Sequence, residues 1–399
     1  MPALNAPALF VSLPPTSGLN PVVIADSLTK VYNCRFSVAE LMPFMTMGMI
    51  TKRDDFTIKF SRDELWQHVV KFSRAKLETV HSDFSLPKDS DWTAKNAFDD
   101  VNASGPSDAK VRRILYAPFD YKFTYYTGVT RGFHARPVLQ NMRHLIDENI
   151  ALSLTRKIDI DLPWCHSFCV DDIMIHHAVS MKEGNYVQAL YLYPDEQSLD
   201  RSVQVNFDQK LYARVRAAAD LTGPSPVPDG TDTFRCATGD TRPDEVKVFD
   251  YIYGVLHSPA YRETYAEFLK IDFPRVPFPP SPAVFRAISE QGEALRRLHL
   301  MEPAAIGDTP FPFEGEGDSV VDKPRHELGK VWINQTQGFS GVSATAWNFH
   351  IGGYQPAQKW LKDRKGRALS WDDVRHYQRI IKILDETHRI MQLIDLPQP

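Results

Sequence analysis

A group of cysteine and histidine residues near the middle of the chain is the first candidate for chemistry. Cys165 and Cys169 are separated by three residues, and His176 and His177 follow closely. Thiolate and imidazole groups at short spacing are common ligands of Zn²⁺. The aromatic residues beside the cysteines instead favour a buried strand with two inert thiols, and no second ligand pair has conventional spacing. We therefore predict no metal site, with a zinc hydrolase as the alternative.

Familiar catalytic and nucleotide-binding motifs do not occur in this sequence. It contains no G-x-G-x-x-G, no G-x-x-x-x-G-K-[ST] and no G-x-S-x-G. The amino-methyltransferase pattern of Asn or Asp, two prolines and an aromatic residue is also missing. The letters DEVK at 244–247 match a nuclease motif only loosely, and they begin a predicted helix, whose dipole favours acids at this end. The sequence predicts no catalytic residue and no cofactor.

Binding chemistry is better represented, above all in residues 116–145, YAPFDYKFTYYTGVTRGFHARPVLQNMRHL. Seven Phe or Tyr residues alternate here with Lys122, Arg131, Arg136 and Arg143, and only one acid is present. A guanidinium group can bind phosphate or donate two hydrogen bonds to guanine. The alternative is an edge of the core in which the rings are buried and the arginines pair with acids elsewhere.

Two further stretches could contact a polyanion. Residues 352–370 place five basic residues, including Lys359, after a Gly-Gly turn, although a solvated helix end would look the same. Residues 334–341 contain Gln335 and Gln337, whose amides could bind adenine or simply fill a turn. Charge is unevenly distributed, because residues 109–157 carry nine Lys or Arg against three Asp or Glu, whereas residues 302–322 carry six acids and no Lys or Arg. Such asymmetry can guide a polyanion to one face.

The overall composition is that of a water-soluble globular protein. The 399 residues are 43% hydrophobic and 24% charged, with a net charge of −4 and four cysteines. No apolar run is long enough for a transmembrane helix, and the first residues do not resemble a secretory signal. Few cysteines are expected in a reducing compartment. We predict a cytoplasmic protein that is not associated with a membrane.

The elements that must position these residues indicate an α+β fold. Short strands are predicted between 111 and 200, whereas helices are predicted over 61–80, 244–270, 283–299 and 370–396, the first and last capped by Ser61 and Ser370. Residues 85–108 are predicted to form an exposed loop. The Pro/Gly/Asp-rich segment 222–234 is a candidate linker. We therefore expect a β-rich part over 1–221, possessing mixed or antiparallel strands, and a mainly helical part over 235–399 that includes a β segment near 319–352.

Four segments together resemble the C-terminal specificity region of type ISP restriction–modification enzymes. They are residues 50–69, ITKRDDFTIKFSRDELWQHV; residues 116–145, quoted above; residues 248–279, VFDYIYGVLHSPAYRETYAEFLKIDFPRVPFP; and residues 347–380, WNFHIGGYQPAQKWLKDRKGRALSWDDVRHYQRI. Their order and approximate spacing match that family over residues 8–396.

The resemblance implies that the chain recognises a short asymmetric sequence in double-stranded DNA and has no catalytic site. In that family one polypeptide joins a nuclease, a helicase-like motor, an adenine methyltransferase and a target-recognition domain. Here the first three are missing, so they are expected in cis or in trans. The alternative is an interaction or decoy protein that kept the fold and works through a separate methyltransferase.

The resemblance assigns no base contacts, and it implies scaffold roles for Tyr116, Pro118, Phe119, Asp120 and the 251–268 helix. Side-chain chemistry therefore supplies the predicted DNA contacts: Lys52, Arg53, Lys122, Arg131, Arg136 and Arg143, followed by Gln335, Gln337 and Lys359.

Overall fold

The computed structural model describes residues 21–159, 161–195, 197–223 and 238–397, together with the side chains of these residues from 26 onward. Helices and mostly antiparallel sheets are both present, with more strands in the first half and more helices in the second, which confirms the α+β prediction. Most of the predicted linker 222–234 lies outside the described residues. No helix among those described has the length and apolarity needed to span a bilayer.

Two four-stranded sheets form the first half of the chain. Their strands are β2 (Thr46–Met47), β3 (Ile58–Lys59), β4 (Val111–Ala117), β5 (Asp120–Tyr125), β6 (Ala151–Thr155), β7 (Ser167–Val170), β8 (Ile173–Met174) and β9 (Asn185–Ala189). One sheet has the order β2-β9-β6-β7, and the other has the order β3-β5-β4-β8, in which only β4 and β8 run parallel.

A third antiparallel sheet, with the order β13-β16-β15-β14, lies in the second half. Three of its four strands lie within residues 319–352, whereas residues Ala344–Asn348 are helical. Its strands are β13 (Phe313–Glu314), β14 (Arg325–Glu327), β15 (Lys330–Trp332) and β16 (Gly338–Ser340). Two short pairs complete the strands of the described residues: β1 (Phe36–Ser37) with β12 (Arg275–Val276), and β10 (Tyr191–Leu192) with β11 (Gln204–Val205).

Helices surround these sheets and are longest toward the C-terminus. The pairing of the two helices Asp244–His257 and Pro282–His299 is close, since a Cβ on Gly292 would lie 1.8 Å from the carbonyl oxygen of Asp250. The other α-helices in the described part of the chain are Pro21–Asn33, Val38–Leu41, Asp54–Thr57, Arg62–Ser73, Val80–Asp83, Ala94–Ala103, Leu139–Met142, Gln209–Ala219, Pro259–Thr264, Ala266–Ile271, Pro303–Ile306, Ala344–Asn348, Pro356–Lys362 and Trp371–Met391.

The helix predictions hold where a cap and an apolar stripe coincide. Ser61 and Ser370 cap their helices as predicted, each accepting a hydrogen bond from the third residue of the helix. The first helix ends at Ser73, earlier than predicted, and Pro259 divides the predicted 244–270 helix. The loop prediction for 85–108 is wrong over Ala94–Ala103, which is a helix capped by Thr93.

The chain has two hydrophobic cores among its described residues. The larger runs from Tyr32 to Leu396 and takes side chains from both sides of the predicted linker. The smaller lies between the helices Arg62–Ser73 and Ala94–Ala103 and is rich in rings, including Phe56, Phe72, Trp92 and Phe133. Edge-to-face contacts between such rings add to the stability that their burial provides. The smaller core supports the loops described next.

Candidate DNA interface

Residues 127–136, which we name the arginine loop, carry two of the predicted DNA contacts. The loop follows β5 and is joined at its end to the segment before Lys52, because Ile50 and Arg136 exchange backbone hydrogen bonds of 2.8 and 3.0 Å. Within the loop, the backbone N–H of Arg131 donates to the carbonyl of Ala135 at 3.0 Å. These bonds place Lys52, Arg131 and Arg136 in one region of the surface.

The buried carboxylate of Asp100 holds the arginine loop in place through hydrogen bonds. Asp100, on the helix Ala94–Ala103, is only 8% exposed. Its Oδ2 accepts hydrogen bonds of 2.7 Å from both the Thr127 hydroxyl and the Phe133 backbone N–H. Gly132 makes this approach possible, since a Cβ there would lie 2.2 Å from Asp100 Oδ2. The loop therefore has a defined conformation before any ligand binds.

Residues 88–92, which we name the Asp91 loop, lie beside the arginine loop. Trp92 is fully buried in the smaller core, and its indole N–H donates to the Phe133 carbonyl at 3.1 Å. On the other side, Arg53 Nη2 donates to the Lys88 carbonyl at 3.0 Å, and its guanidinium carbon lies 5.4 Å from the Trp92 ring. Arg53 thus holds this loop in place.

Three of the nine predicted contacts, Arg53, Arg131 and Arg136, reach the Asp91 loop, and we name these three together with Lys52, which precedes Arg53, the basic cluster. Lys52 is exposed and has a left-handed backbone, as does Arg131. The side chains of Arg131 and Arg136 are 70% and 61% exposed. The Asp91 carboxylate is 4.0 Å from Arg131 Nη2 and 3.4 Å from Arg136 Nη2. The cluster offers accessible cations with several acids nearby: Asp91 beside the two arginines, Asp89 in the same loop, and Asp54 and Asp55 directly after Arg53.

Lys122 and Lys359 belong to a different group that surrounds Tyr116. Lys122 is 7% exposed, and its Nζ lies 3.5 Å from the centroid of the Tyr116 ring and 3.7 Å from Asp120 Oδ2. Burial lowers the pKa of Lys122, while Asp120 and Asp363 raise it. Lys359 Nζ is paired with Asp363 at 2.5 Å. These contacts give Lys122 a place inside the fold and leave Lys359 only partly accessible.

The remaining predicted contacts are scattered. Arg143 Nη1 donates to the carbonyl of Tyr193 at 2.8 Å, away from the basic cluster. Gln335 is exposed on the turn between β15 and β16, whereas Gln337 beside it is buried. The Gln337 side-chain oxygen accepts a 2.7 Å hydrogen bond from the backbone N–H of Ser319, so this amide stabilises the turn.

The residues assigned to the scaffold lie in the interior. Phe119 and Asp120 are buried at the turn between β4 and β5, and Arg364 Nη2 donates to Asp120 Oδ1 at 2.9 Å. Tyr251 and Tyr261 are also buried, and the predicted 251–268 helix is divided in the structure among Asp244–His257, Pro259–Thr264 and Ala266–Ile271. The rings of the aromatic stretch thus build the core, and its loop carries the exposed cations.

The cysteine and histidine residues do not form a common centre. The Cys165 thiol donates to the Gly352 carbonyl, and the Cys169 thiol contacts the Arg296 carbonyl at 3.7 Å. Burial raises the pKa of both thiols, and burial followed by the charge of His177 lowers the pKa of His176 to about 4. Across the described part of the chain, no group of three or more His, Cys, Asp or Glu residues is arranged to hold a metal ion.

Two residues that shape this surface were not among the predicted contacts. Asp91 and Asp100 both lie in the stretch 85–108, which its polar composition assigned to a loop. The sequence contains one signal that could have located them, namely Thr93 as a cap for a helix beginning at Ala94. Their contacts with the arginine loop join residues 27 to 45 positions apart and have no local signature.

The fold is similar to that of known DNA-bound structures. Three solved structures share the fold, each at 17% sequence identity: a DrdV–DNA complex studied by cryo-electron microscopy (TM-score 0.65), a nuclease-deletion mutant of the Type ISP restriction–modification enzyme LlaGI with a DNA substrate mimic (0.61), and the ATP-dependent Type ISP restriction–modification enzyme LlaBIII bound to DNA (0.66). They cover 89%, 92% and 92% of this chain, which spans only 35%, 29% and 24% of theirs.

Sequence families give the more specific assignment. No curated protein matched the chain. The Type ISP C-terminal specificity domain matches it over residues 40–393, which includes the basic cluster, both loops and all three four-stranded sheets. This match covers most of the sequence and agrees with the fold shared by the solved structures. The chain belongs to the Type ISP C-terminal specificity domain family.

Proposed function

We propose that this chain recognises a short sequence in double-stranded DNA, with the basic cluster and the Asp91 loop as the contact surface. Lys52, Arg131 and Arg136 contact DNA directly, and Arg53 positions the loop between them. Gln335 is a further base contact on its own exposed turn. Lys122 and Gln337 serve the fold, while Arg143 and Lys359 are engaged by a carbonyl and a carboxylate within the chain.

One observation carries the proposal: cations from two separate segments converge on a single preformed surface in a member of a specificity-domain family. Like charges brought together without a ligand repel one another, so their convergence on a rigid surface favours binding of a polyanion. Phosphate contacts of this kind position a protein on the duplex, and base-edge contacts then select the sequence. The three similar structures support the proposal, because each is described as containing DNA or a DNA mimic.

The same proposal assigns no chemical step to this chain. Nuclease, motor and methyltransferase activities belong to other parts of a restriction–modification system, present either in the same polypeptide or as partners. The chain supplies the choice of target, and the methyltransferase part acts on an adenine within it. The buried thiols of Cys165 and Cys169 are hydrogen-bonded to backbone carbonyls, which is consistent with a chain that performs no chemical step.

Duplex binding at several salt concentrations tests the proposal. The chain is titrated with a pool of random duplexes between about 50 and 200 mM salt, and affinity is expected to fall steeply through counterion release. Arg131→Ala and Arg136→Ala are each expected to weaken binding by about 5- to 100-fold, with the salt slope reduced by about one if the lost contact is to phosphate. Arg156→Ala is the matched control, because Arg156 is 60% exposed and pairs with Asp272 outside the basic cluster.

Two results would contradict the proposal. One is the absence of duplex binding even at about 50 mM salt. The other is equal loss of affinity in Arg156→Ala and Arg136→Ala, which would mean that the basic cluster is not the contact surface. Binding that appears only after addition of a methyltransferase-bearing partner would instead favour an interaction protein that acts through that partner.

A further inference from the structure

The position of Asp91 is unexpected for a surface that binds only phosphate. A carboxylate beside two exposed arginines repels the DNA backbone and weakens the phosphate contacts that these arginines can make. We infer that Asp91 and Arg136 together recognise one C·G base pair, Asp91 through the cytosine N4 amino group and Arg136 through the guanine O6 and N7 atoms. The inference rests on the proposed function and specifies part of the target.

The two side chains are near each other but not tightly bonded. Asp91 Oδ2 lies 3.4 Å from Arg136 Nη2, and Oδ1 lies 4.0 Å from Arg131 Nη2. Charge-assisted N–H···O bonds are usually about 2.7–2.9 Å long, as in the surface pair of Arg156 and Asp272 at 2.9 Å. With Asp91 38% exposed between two more exposed arginines, its carboxylate and their N–H groups keep free bonding capacity.

The chemistry of the major groove selects the partner bases. A carboxylate only accepts hydrogen bonds, and the base-pair donors in the major groove are the amino groups of cytosine and adenine. A guanidinium group donates two hydrogen bonds and fits the paired acceptors of guanine, whereas thymine offers O4 alone. A neighbouring acceptor and double donor therefore match the edge of C·G, where the cytosine amino group lies beside guanine O6.

The supports of both side chains are rigid, as selective recognition requires. Asp91 immediately precedes Trp92, which is buried and hydrogen-bonded to the Phe133 carbonyl at 3.1 Å. Arg136 is fixed through the two backbone bonds it exchanges with Ile50. The backbone positions that carry the carboxylate and the guanidinium are thus set by the fold before DNA arrives.

Selection of binding sequences from random duplexes tests the inference with the full 399-residue chain. The wild-type motif is expected to contain a C·G pair. The single substitution Asp91→Asn should reduce or change the preference for C·G at this one position by on the order of tenfold in relative affinity, because an amide can also donate to other bases. Arg136→Lys is expected to relax the same position while retaining a positive charge for phosphate. Asp272→Asn is the matched control and should leave the motif unchanged.

The outcomes separate this inference from the proposed function. If wild type binds duplexes but Asp91→Asn yields the wild-type motif with uniformly tighter binding, Asp91 only neutralises charge and the inference is overturned. Relaxation of different positions by Asp91→Asn and Arg136→Lys would also overturn it. Failure of wild type to bind any duplex would instead remove the proposed function itself.

Discussion

Replacement of Asp100 by alanine is the most direct test of how the arginine loop is held. This carboxylate accepts two hydrogen bonds of 2.7 Å, from the Thr127 hydroxyl and the Phe133 N–H, and it is 8% exposed. Hydrogen bonds to a charged group contribute about 1.5–3 kcal/mol each. The substitution also leaves the Phe133 N–H without its acceptor in a buried site. We expect Asp100→Ala to lower the free energy of unfolding by about 3 kcal/mol.

Urea denaturation followed by circular dichroism measures this loss. With a denaturant slope of about 3 kcal/mol per molar urea, the midpoint should fall by about 1 M. Net stabilities of about 5–15 kcal/mol are usual, so the variant remains folded in buffer. We also expect weaker duplex binding, because the loop that carries Arg131 and Arg136 is no longer fixed by the helix beneath it.

The adjacent residue provides the matched control. Asp99 has the same charge and lies on the same helix, but its carboxylate faces solvent and pairs with Lys95 four residues earlier. Pairs of this kind contribute about 0.3–0.5 kcal/mol, so Asp99→Ala should move the urea midpoint by less than about 0.2 M. A shift in Asp100→Ala no larger than that of Asp99→Ala would refute the role given to Asp100.

Three further predictions concern the same region and the buried titratable groups. Gly132→Ala should destabilise the arginine loop and weaken duplex binding, because its Cβ would lie 2.2 Å from Asp100 Oδ2; equal affinity to wild type in a filter-binding or fluorescence titration would contradict this. Lys122→Met should change the melting temperature but leave the salt slope of duplex binding unaltered, since this lysine is buried beside Asp120; a slope reduced by about one would show a phosphate contact instead. Finally, burial lowers the pKa of His134 from 6.5 to about 3, so the unfolded chain binds more protons below pH 6.5 and stability is lost as the pH falls from there toward 3. His134 alone should cost about 2 kcal/mol at pH 5, and urea midpoints that are equal at pH 7 and pH 5 would disagree with this.

Local sequence signals predicted the elements that depend on local physics. Ser61 and Ser370 marked helix starts because a side-chain cap acts on the next turn of the same helix. The helix Ala94–Ala103 was missed because its composition is polar and Thr93 is followed by Asn96 where a Glu or Gln would complete a capping box. Its buried face includes Asp100, a residue type that does not contribute to an apolar stripe.

Contacts between distant segments explain why only part of the candidate surface was predictable. Arg131 and Lys122 look equivalent in the sequence, since both are cations among aromatic residues. The structure exposes the first on a loop and buries the second against Tyr116 and Asp120. That difference depends on which strand position points inward and on Asp363, which lies far along the chain. Composition shows that cations are present, and tertiary packing decides which of them face solvent.

The large core that draws on both sides of residues 222–234 bears on how the chain is synthesised. Phe36 pairs with Val276, and Asp120 accepts a hydrogen bond from Arg364, which is 244 residues further along the chain. A nascent chain that has emerged from the ribosome only as far as residues 222–234 therefore holds β1 without its partner strand, and its Asp120 has Lys122 nearby but lacks Arg364. Domains that fold during synthesis normally complete one at a time, but here β1 and Asp120 gain these partners only after residues 275–276 and Arg364 have been made. Two fragments divided within 222–234 should consequently fold together when co-expressed, and poorly when expressed apart.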